Sequence, residues 1–272
     1  MANLAIGVCR DRLVEPSLIH SHDFMELVVI ESGYGIQLVE DIHIPIRAGD
    51  VFVIHPSQSH AYIEKQDLTL TNIIYFDDNS IPLLTDLKQS PAYQAMFSLE
   101  PLIGEGSARL NLGYTELQRI GKLVDSLQKS LLLEEGHSAT IATLDFLSLL
   151  NELCRYYENS APNHGRALID LSKIIAYIDC NLGENRSVEE LSKMANMSLR
   201  TFQRRFQDIL GVSPVQYILE KRLEKACQLL KDSNIQISEV SYEVGFQTTT
   251  YFSRAFKKST GLSPKQYQMQ HK

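Results

Sequence analysis

The chain is 272 residues long, 44% hydrophobic and 22% charged, the balance expected of an ordinary globular protein with room for two cores. A net charge of −7 excludes a uniformly basic nucleic-acid binder, and with no run of about 18 apolar residues no membrane span is expected. No basic segment followed by an apolar run opens the sequence, so no signal peptide is expected; Cys9, Cys154, Cys180 and Cys227 are scattered without a C-x-x-C pair and suit free thiols in a reducing cytoplasm.

The charge is unevenly spread. Residues 1–165 hold 10 Lys/Arg against 22 Asp/Glu, net −12, whereas residues 166–272 hold 16 against 11, net +5. A basic footprint on the C-terminal part alone points to a nucleic-acid partner there and to a different task for the acidic part.

Residues 1–79 read as strands. Leu27–Ile30, Gly35–Val39, Val51–Ile54, Ala61–Ile63 and Leu68–Phe76 are short and rich in β-branched residues, with Gly33, Gly35, Pro45, Gly49-Asp50 and Pro56-Ser57 between them. Many short strands at close spacing predict a sandwich or small barrel. Within this region His20-Ser21-His22, Glu26, Gly33, Gly49-Asp50, Pro56 and His60 resemble in spacing the two motifs of the cupin barrels. His20 and His22 share a strand face at i, i+2, and Glu26 and His60 stand at the remaining ligand positions of that resemblance. Two readings stay open for the four side chains. Imidazole and carboxylate together suit a divalent Fe, Mn, Ni or Zn ion; alternatively they form a polar lining that hydrogen-bonds a sugar or one another.

Residues 80–112 are poorly patterned, broken by Pro82, Pro91, Pro101, Gly104 and Gly106. From Tyr114 the period turns helical. Leu117, Ile120, Val124, Leu127 and Leu131 make a short a/d stripe, Gly136-His137 breaks it, and a second helix runs from about Ala139 to Tyr157. The stripe fits either a dimer seam or packing on the barrel. The order of elements gives a barrel over 1–112, a helical dimerisation segment over 113–158, a linker over 159–166 and a separate all-α domain over 167–272.

That last domain says nearly the same thing twice. Phe202, Arg204, Phe206, Gly211, Ser213, Pro214 and Tyr217 match Phe252, Arg254, Phe256, Gly261, Ser263, Pro264 and Tyr267 at one offset of 50. In the first copy Ser187-Val188-Glu189-Glu190 is a capping box, Asn196-Met197-Ser198 makes a turn, and Leu199, Phe202, Phe206 and Ile209 fall on one helix face. Ser213-Pro214-Val215-Gln216 predicts a second box. The second copy runs Ile237–Val244, turns at Gly245-Phe246-Gln247, and closes with Ser263-Pro264-Lys265-Gln266. Two short helices at a tight turn, the second carrying exposed Arg, Gln, Ser and Thr, predict a helix-turn-helix. Arg200, Thr201, Gln203 and Arg204 in one copy, and Thr249, Thr250, Ser253 and Arg254 in the other, are the expected DNA contacts: Arg reads guanine bidentately, Gln reads adenine, and hydroxyls reach bases or phosphates.

Gly245-Phe246, Tyr251 through Lys258 and Gly261-Leu262-Ser263-Pro264 closely resemble the signature of AraC/XylS-type transcription regulators, over roughly 167–270. The resemblance implies two helix-turn-helix units joined by one long helix, entering successive major-groove segments of double-stranded promoter DNA. It also implies an organic effector in the barrel, a homodimer through Tyr114–Tyr157, and contact with RNA polymerase. Around His20–Glu26 and in 80–112 the chain looks most like the regulators of L-rhamnose catabolism, which implies an activator answering a small sugar. The rival reading is a cupin metalloenzyme, a sugar isomerase or dioxygenase with a helical appendage; a repressor without effector is a third. No cofactor is required by the leading reading, a divalent metal in the barrel being optional.

Overall fold

Strand β2 (Met25–Val39) organises the N-terminal unit, because its Val, Leu and Ile residues are buried on both faces up to Ile30 and only alternate faces are buried beyond it. The computed structural model describes residues 6–13, 17–76, 81, 84–103, 109–133, 138–160, 163–231 and 235–270. It divides into two compact units, Met1–Ser172 and Lys173–Lys272.

In the first unit, β1 (Ile6–Arg12), β2, β3 (Ile42–Arg47), β4 (Asp50–Ile54), β5 (His60–Tyr75) and β6 (Leu110–Asn111) form one antiparallel sheet in the order β1-β5-β2-β4-β6, with β3 on the far half of β2. The pairing does not close on itself among the described residues, since β1 and β6 end the path. Leu27–Ile30 and Gly35–Val39, expected as two strands, are one. Gly33 sits at φ +78° in a bulge between them, where a Cβ would lie 2.3 Å from the carbonyl oxygen of Asp67, so the chain bends there without leaving the sheet. Likewise Ala61–Ile63 and Leu68–Phe76 are one strand, β5, bent where Glu64 and Asp67 take positive φ. Val28, Ile30, Ile46, Phe52, Ile54, Tyr62, Leu68 and Leu70 pack together as one buried cluster.

The poorly patterned stretch folds into short helices, α1 (Leu84–Lys88), α2 (Pro91–Tyr93), a π-helical turn (Gln94–Leu99) and α3 (Glu100–Ile103). Ser90 caps α2 with Pro91 in its first turn. Stacked Tyr93 and Phe97 are buried, their centroids 4.5 Å apart. Pro82, Gly104, Gly106 and the Gly136-His137 break lie outside the described residues.

Helices α4 (Tyr114–Leu131) and α5 (Ser138–Ser160) lie against each other and the sheet. Ile120, Val124 and Leu127 are at most 2% exposed, Tyr75 of β5 meets Phe146 of α5, and Ser126 and Ser130 of α4 donate to Asp145. Ile120, Val124 and Leu127 of the a/d stripe are therefore core of the protomer, while Leu117 and Leu131 at its ends are half-buried; a seven-residue period looks the same whether its partner is a neighbouring helix or a second chain. Residues 159–166, expected as a linker, hold the end of α5 and the start of α6 (Asn163–Cys180), with 161–162 outside the described residues. The boundary between the units falls inside α6. Its first half buries Leu168, Ile169 and Leu171, and the Ser172 hydroxyl donates to the Pro91 carbonyl.

The second unit contains α7 (Val188–Met194), α8 (Leu199–Leu210), α9 (Pro214–Leu230), α10 (Ile237–Glu243), α11 (Thr249–Thr260) and α12 (Pro264–Gln270). Its helices begin and end where the side chains dictate. Ser187 and Glu190 exchange capping hydrogen bonds at α7, Ser198 caps α8 and Thr248 caps α11. Gly211 and Gly261 end α8 and α11 in the left-handed conformation. Ser263 and Gln266 form the expected reciprocal box. At Ser213 only half of one forms, because the Gln216 side chain donates to Glu220 instead of returning to the cap.

Candidate DNA interface and sensor site

In each helix-turn-helix two phenylalanines one turn apart anchor the second helix from below. Phe202, Phe206 and Tyr217 have successive centroid separations of 5.5 and 5.5 Å; Phe252, Phe256 and Tyr267 have 5.5 and 5.4 Å. All four phenylalanines are fully buried, so the opposite faces of α8 and α11 are held rigidly toward solvent. Arg200, Gln203 and Arg204 are exposed on α8; Thr201 is half-buried with its hydroxyl against that of Ser198. On α11 Thr250 and Arg254 are exposed, Thr249 and Ser253 half-buried. Arg204 and Arg254 thus occupy matching places two residues after the first anchoring phenylalanine. A 12-residue helix is about 18 Å long and about 10–12 Å across, which fits the major groove.

The repeat extends further than the offset of 50 reveals. Before the turn it continues at 49: Leu191, Ser192 and Ala195 are buried like Val240, Ser241 and Val244, and the Met197 amide donates to Ser192 as that of Phe246 does to Ser241. Asn196 at φ +53° corresponds to Gly245 at φ +89°. Gln247 is the additional residue in the second turn.

Sequence reasoning missed the residue tying these parts together. Arg222 of α9 donates from Nε to the Leu182 carbonyl and from Nη2 to the Glu184 carbonyl, both at 2.9 Å, and to Asn185 Oδ1 at 3.2 Å. This fastens the loop that feeds α7. Gly245 passes so close that a Cβ would lie 2.4 Å from the Leu182 oxygen and 2.7 Å from Arg222 Nη2. Only the tertiary approach of a loop 40 residues upstream gives Arg222 its role.

In the first unit, three of the four expected sensor residues converge. Glu26 Oε2 lies 3.0 Å from His22 Nε2 and 3.4 Å from His60 Nε2, and the side chains are at most 8% exposed. Burial alone would raise the Glu26 carboxyl, but the imidazoles of His60 and His22 outweigh it and hold it below the usual carboxylate value. His20 is exposed; its backbone pairs with that of His60 and its ring stands 4.2 Å from the His60 ring. It flanks the cluster without joining the three ligating atoms that lie within 4.8 Å of one another.

A second buried polar group was not anticipated. Arg109 donates from Nη2 to Gln37 Oε1 at 2.6 Å, lies 3.6 Å from Glu100 and stacks 4.1 Å above the Phe52 ring. Among the described residues, its Nε and Nη1 atoms, Gln37 Nε2 and the Tyr62 hydroxyl have no hydrogen-bond partner. Burial lowers the Arg109 pKa, while it raises Glu100 and pushes Tyr62 well up. One signal was legible: Gln37 shares strand parity with the buried Gly35 and Val39, so it had to point inward.

Comparison with known proteins matches residues 18–142 to the AraC-like ligand binding domain and residues 191–270 to a helix-turn-helix domain. The chain belongs to the AraC family of transcription regulators. The regulator is 27% identical over 251 residues to the HTH-type transcriptional activator RhaS of Enterobacter sp. (strain 638), and 29% identical over 251 residues to the HTH-type transcriptional activator RhaR of Escherichia coli O139:H28. Each alignment covers 91% of this chain and 86% of the relative. The chain is a DNA-binding regulator, and the metalloenzyme alternative is set aside. Among the described residues no helix is long and apolar enough to cross a membrane.

Proposed function

We propose that this regulator is a cytoplasmic, homodimeric activator of a sugar-utilisation operon, which reads promoter DNA through α8 and α11 and contacts RNA polymerase when a small sugar, rhamnose-like in class, occupies the N-terminal unit. The observation that carries the DNA half is the matched pair of exposed arginines, Arg204 and Arg254, on helices anchored by equivalent aromatic triads. Arg200, Thr201, Gln203, Thr249, Thr250 and Ser253 supply the neighbouring contacts. The effector half is supported by buried polar groups that have no partner among the described residues. A polyol offers hydroxyls to Arg109, Gln37 and Tyr62, and His20, His22, Glu26 and His60 stand within the same unit to complete its recognition. Dimerisation falls to surfaces other than the buried stripe, such as the exposed Ile141 and Leu144 of α5. The mechanism is a population shift, effector binding changing how the DNA-binding unit is presented.

The test is binding to a selected operator fragment. Arg204→Ala and Arg254→Ala each lose about 1–3 kcal/mol at particular base pairs if they make bidentate base contacts. Equal weakening on every sequence with a reduced salt slope would make them phosphate contacts and refute the assignment. A thermal-shift panel of pentoses, deoxyhexoses, hexoses and uronic acids tests the effector, since stabilisation grows with ln(1+[L]/Kd).

A further inference from the structure

A crevice of about 430 Å³, a volume in the range that holds small-molecule ligands, lies wholly within the second unit and is lined by both helix-turn-helix motifs. Leu191 of the first motif, Phe246 and Tyr251 of the second, and Ile218 and Leu219 of the connecting helix α9 make its lining mostly apolar. The Phe246 and Tyr251 rings stand 5.7 Å apart, and Tyr251 is more than half exposed, so aromatic surface is left facing water at this place. Arg222 also lines the crevice and brings to it a positive charge that no carboxylate answers. Its three acceptors, the Leu182 and Glu184 carbonyls and Asn185 Oδ1, are neutral amide oxygens, and burial lowers its pKa with no opposing carboxylate. A guanidinium has five N–H hydrogens. Nε directs its one to Leu182, and Nη2 directs its two to Glu184 and Asn185; the two on Nη1 have no acceptor among the described residues.

We propose that this crevice binds a small amphipathic carboxylic acid, its carboxylate accepting from Arg222 Nη1 and its apolar body lying against Leu191, Ile218 and the Phe246–Tyr251 pair. A neutral hydrocarbon would leave the Nη1 hydrogens without an acceptor, and a sugar would press hydroxyls against Ile218 and Leu219. The site favours a single negative charge over a doubly charged phosphate. Glu184 lines the same crevice, and its carboxylate, hydrogen-bonded by Tyr177 and Arg186, is held below the usual range and repels a second charge. An occupant touching both Leu191 and Tyr251 rests on the two helix-turn-helix motifs at once, and Tyr251 stands three residues before Arg254 on α11. The DNA-binding unit thereby has a ligand contact of its own. Every residue invoked belongs to the second unit, so the sugar reading can fail without it.

The experiment uses the full chain with isoleucine methyl groups labelled for NMR, titrated with indole-3-propionate and, separately, with its neutral isostere indole-3-propionamide. The Ile218 and Ile178 signals, assigned by their loss in Ile→Val variants, should shift to saturation with a dissociation constant of about 1 mM or below for the acid. The amide should bind at least tenfold more weakly. Ile30 and Ile54, buried in the sheet of the first unit, should not move. Ile218→Trp fills the crevice without touching the bonds of Arg222 and should weaken the acid at least tenfold with circular dichroism unchanged. The comparison of acid with amide needs no variant, so it decides the matter of charge even if Ile218→Trp fails to fold. No shift of Ile218 or Ile178 at about 10 mM acid overturns the proposal, whether the crevice stays empty or another part of the protein covers it. So do shifts confined to Ile30 and Ile54, equal affinities for acid and amide, or undiminished binding by folded Ile218→Trp.

Discussion

Replacing Arg222 with Ala should loosen the DNA-binding unit where its two halves are tied. The guanidinium makes three hydrogen bonds, to Leu182, Glu184 and Asn185, and the first of these is partly buried. A charge-assisted bond is worth roughly 1.5–3 kcal/mol when water cannot replace it. The other two carbonyl acceptors are exposed and water takes over much of their bonding, leaving about 0.5 kcal/mol each. The sum is about 2.5–4 kcal/mol, against which nothing is gained. Burial depresses the Arg222 pKa, which puts the charge in a place where it is costly without these partners. Arg222→Lys keeps the charge but cannot fork to two carbonyls, so it should recover less than half of the loss. Urea denaturation gives the magnitude, and hydrogen exchange gives the place. Protection should fall first in the loop 181–187 and in α7, while amides around Phe252 and Phe256 stay protected longest. Stability changed by less than about 0.5 kcal/mol, or uniform loss of protection across the unit, would refute the clamp.

Three further outcomes follow from the same kind of reasoning. Gly245→Ala should cost at least as much as Arg222→Ala, because the new Cβ meets the Leu182 oxygen at 2.4 Å and the residue is held at φ +89°, whereas Asn196→Ala, at the matching exposed place, should cost about 1–2 kcal/mol in urea denaturation. Leu127→Asp should unfold the N-terminal unit, since Leu127 is fully buried; a folded monomer by ultracentrifugation would restore the stripe as a dimer seam. Burial raises the Cys154 thiol to about 12 from 9.0, so its contribution to stability is present below pH 9 and is lost as pH rises toward 12; about 1.4 kcal/mol should be gone by pH 10 relative to Cys154→Ala, and thiol reagents at neutral pH should label the exposed Cys9 and Cys180 first.

Much of the DNA-binding unit was legible because its signals are local. A serine three residues before a glutamate, a glycine after the last apolar residue and two aromatics one turn apart act over a few residues, so Ser187, Gly211 and the Phe202/Phe206 pair announce their structure without knowing what packs on them. The sequence by itself therefore determined the two helix-turn-helix units, their capped boundaries and the exposure of Arg204 and Arg254. Tertiary structure decided what depends on distant neighbours. Whether Leu117–Leu131 faces a partner chain or the sheet depends on which apolar surface is uncovered, and periodicity carries no such information. Arg222 and Gly245 acquired their roles from a loop 40 residues or more upstream, and Arg109 from Gln37 across 72 residues. His20, His22, Glu26 and His60 looked equivalent in spacing, yet the bridge between His20 and His60 leaves the first at the rim and brings the other three together. Spacing records which side of a strand a residue occupies; which side chains meet is set by how the strands are bent and paired.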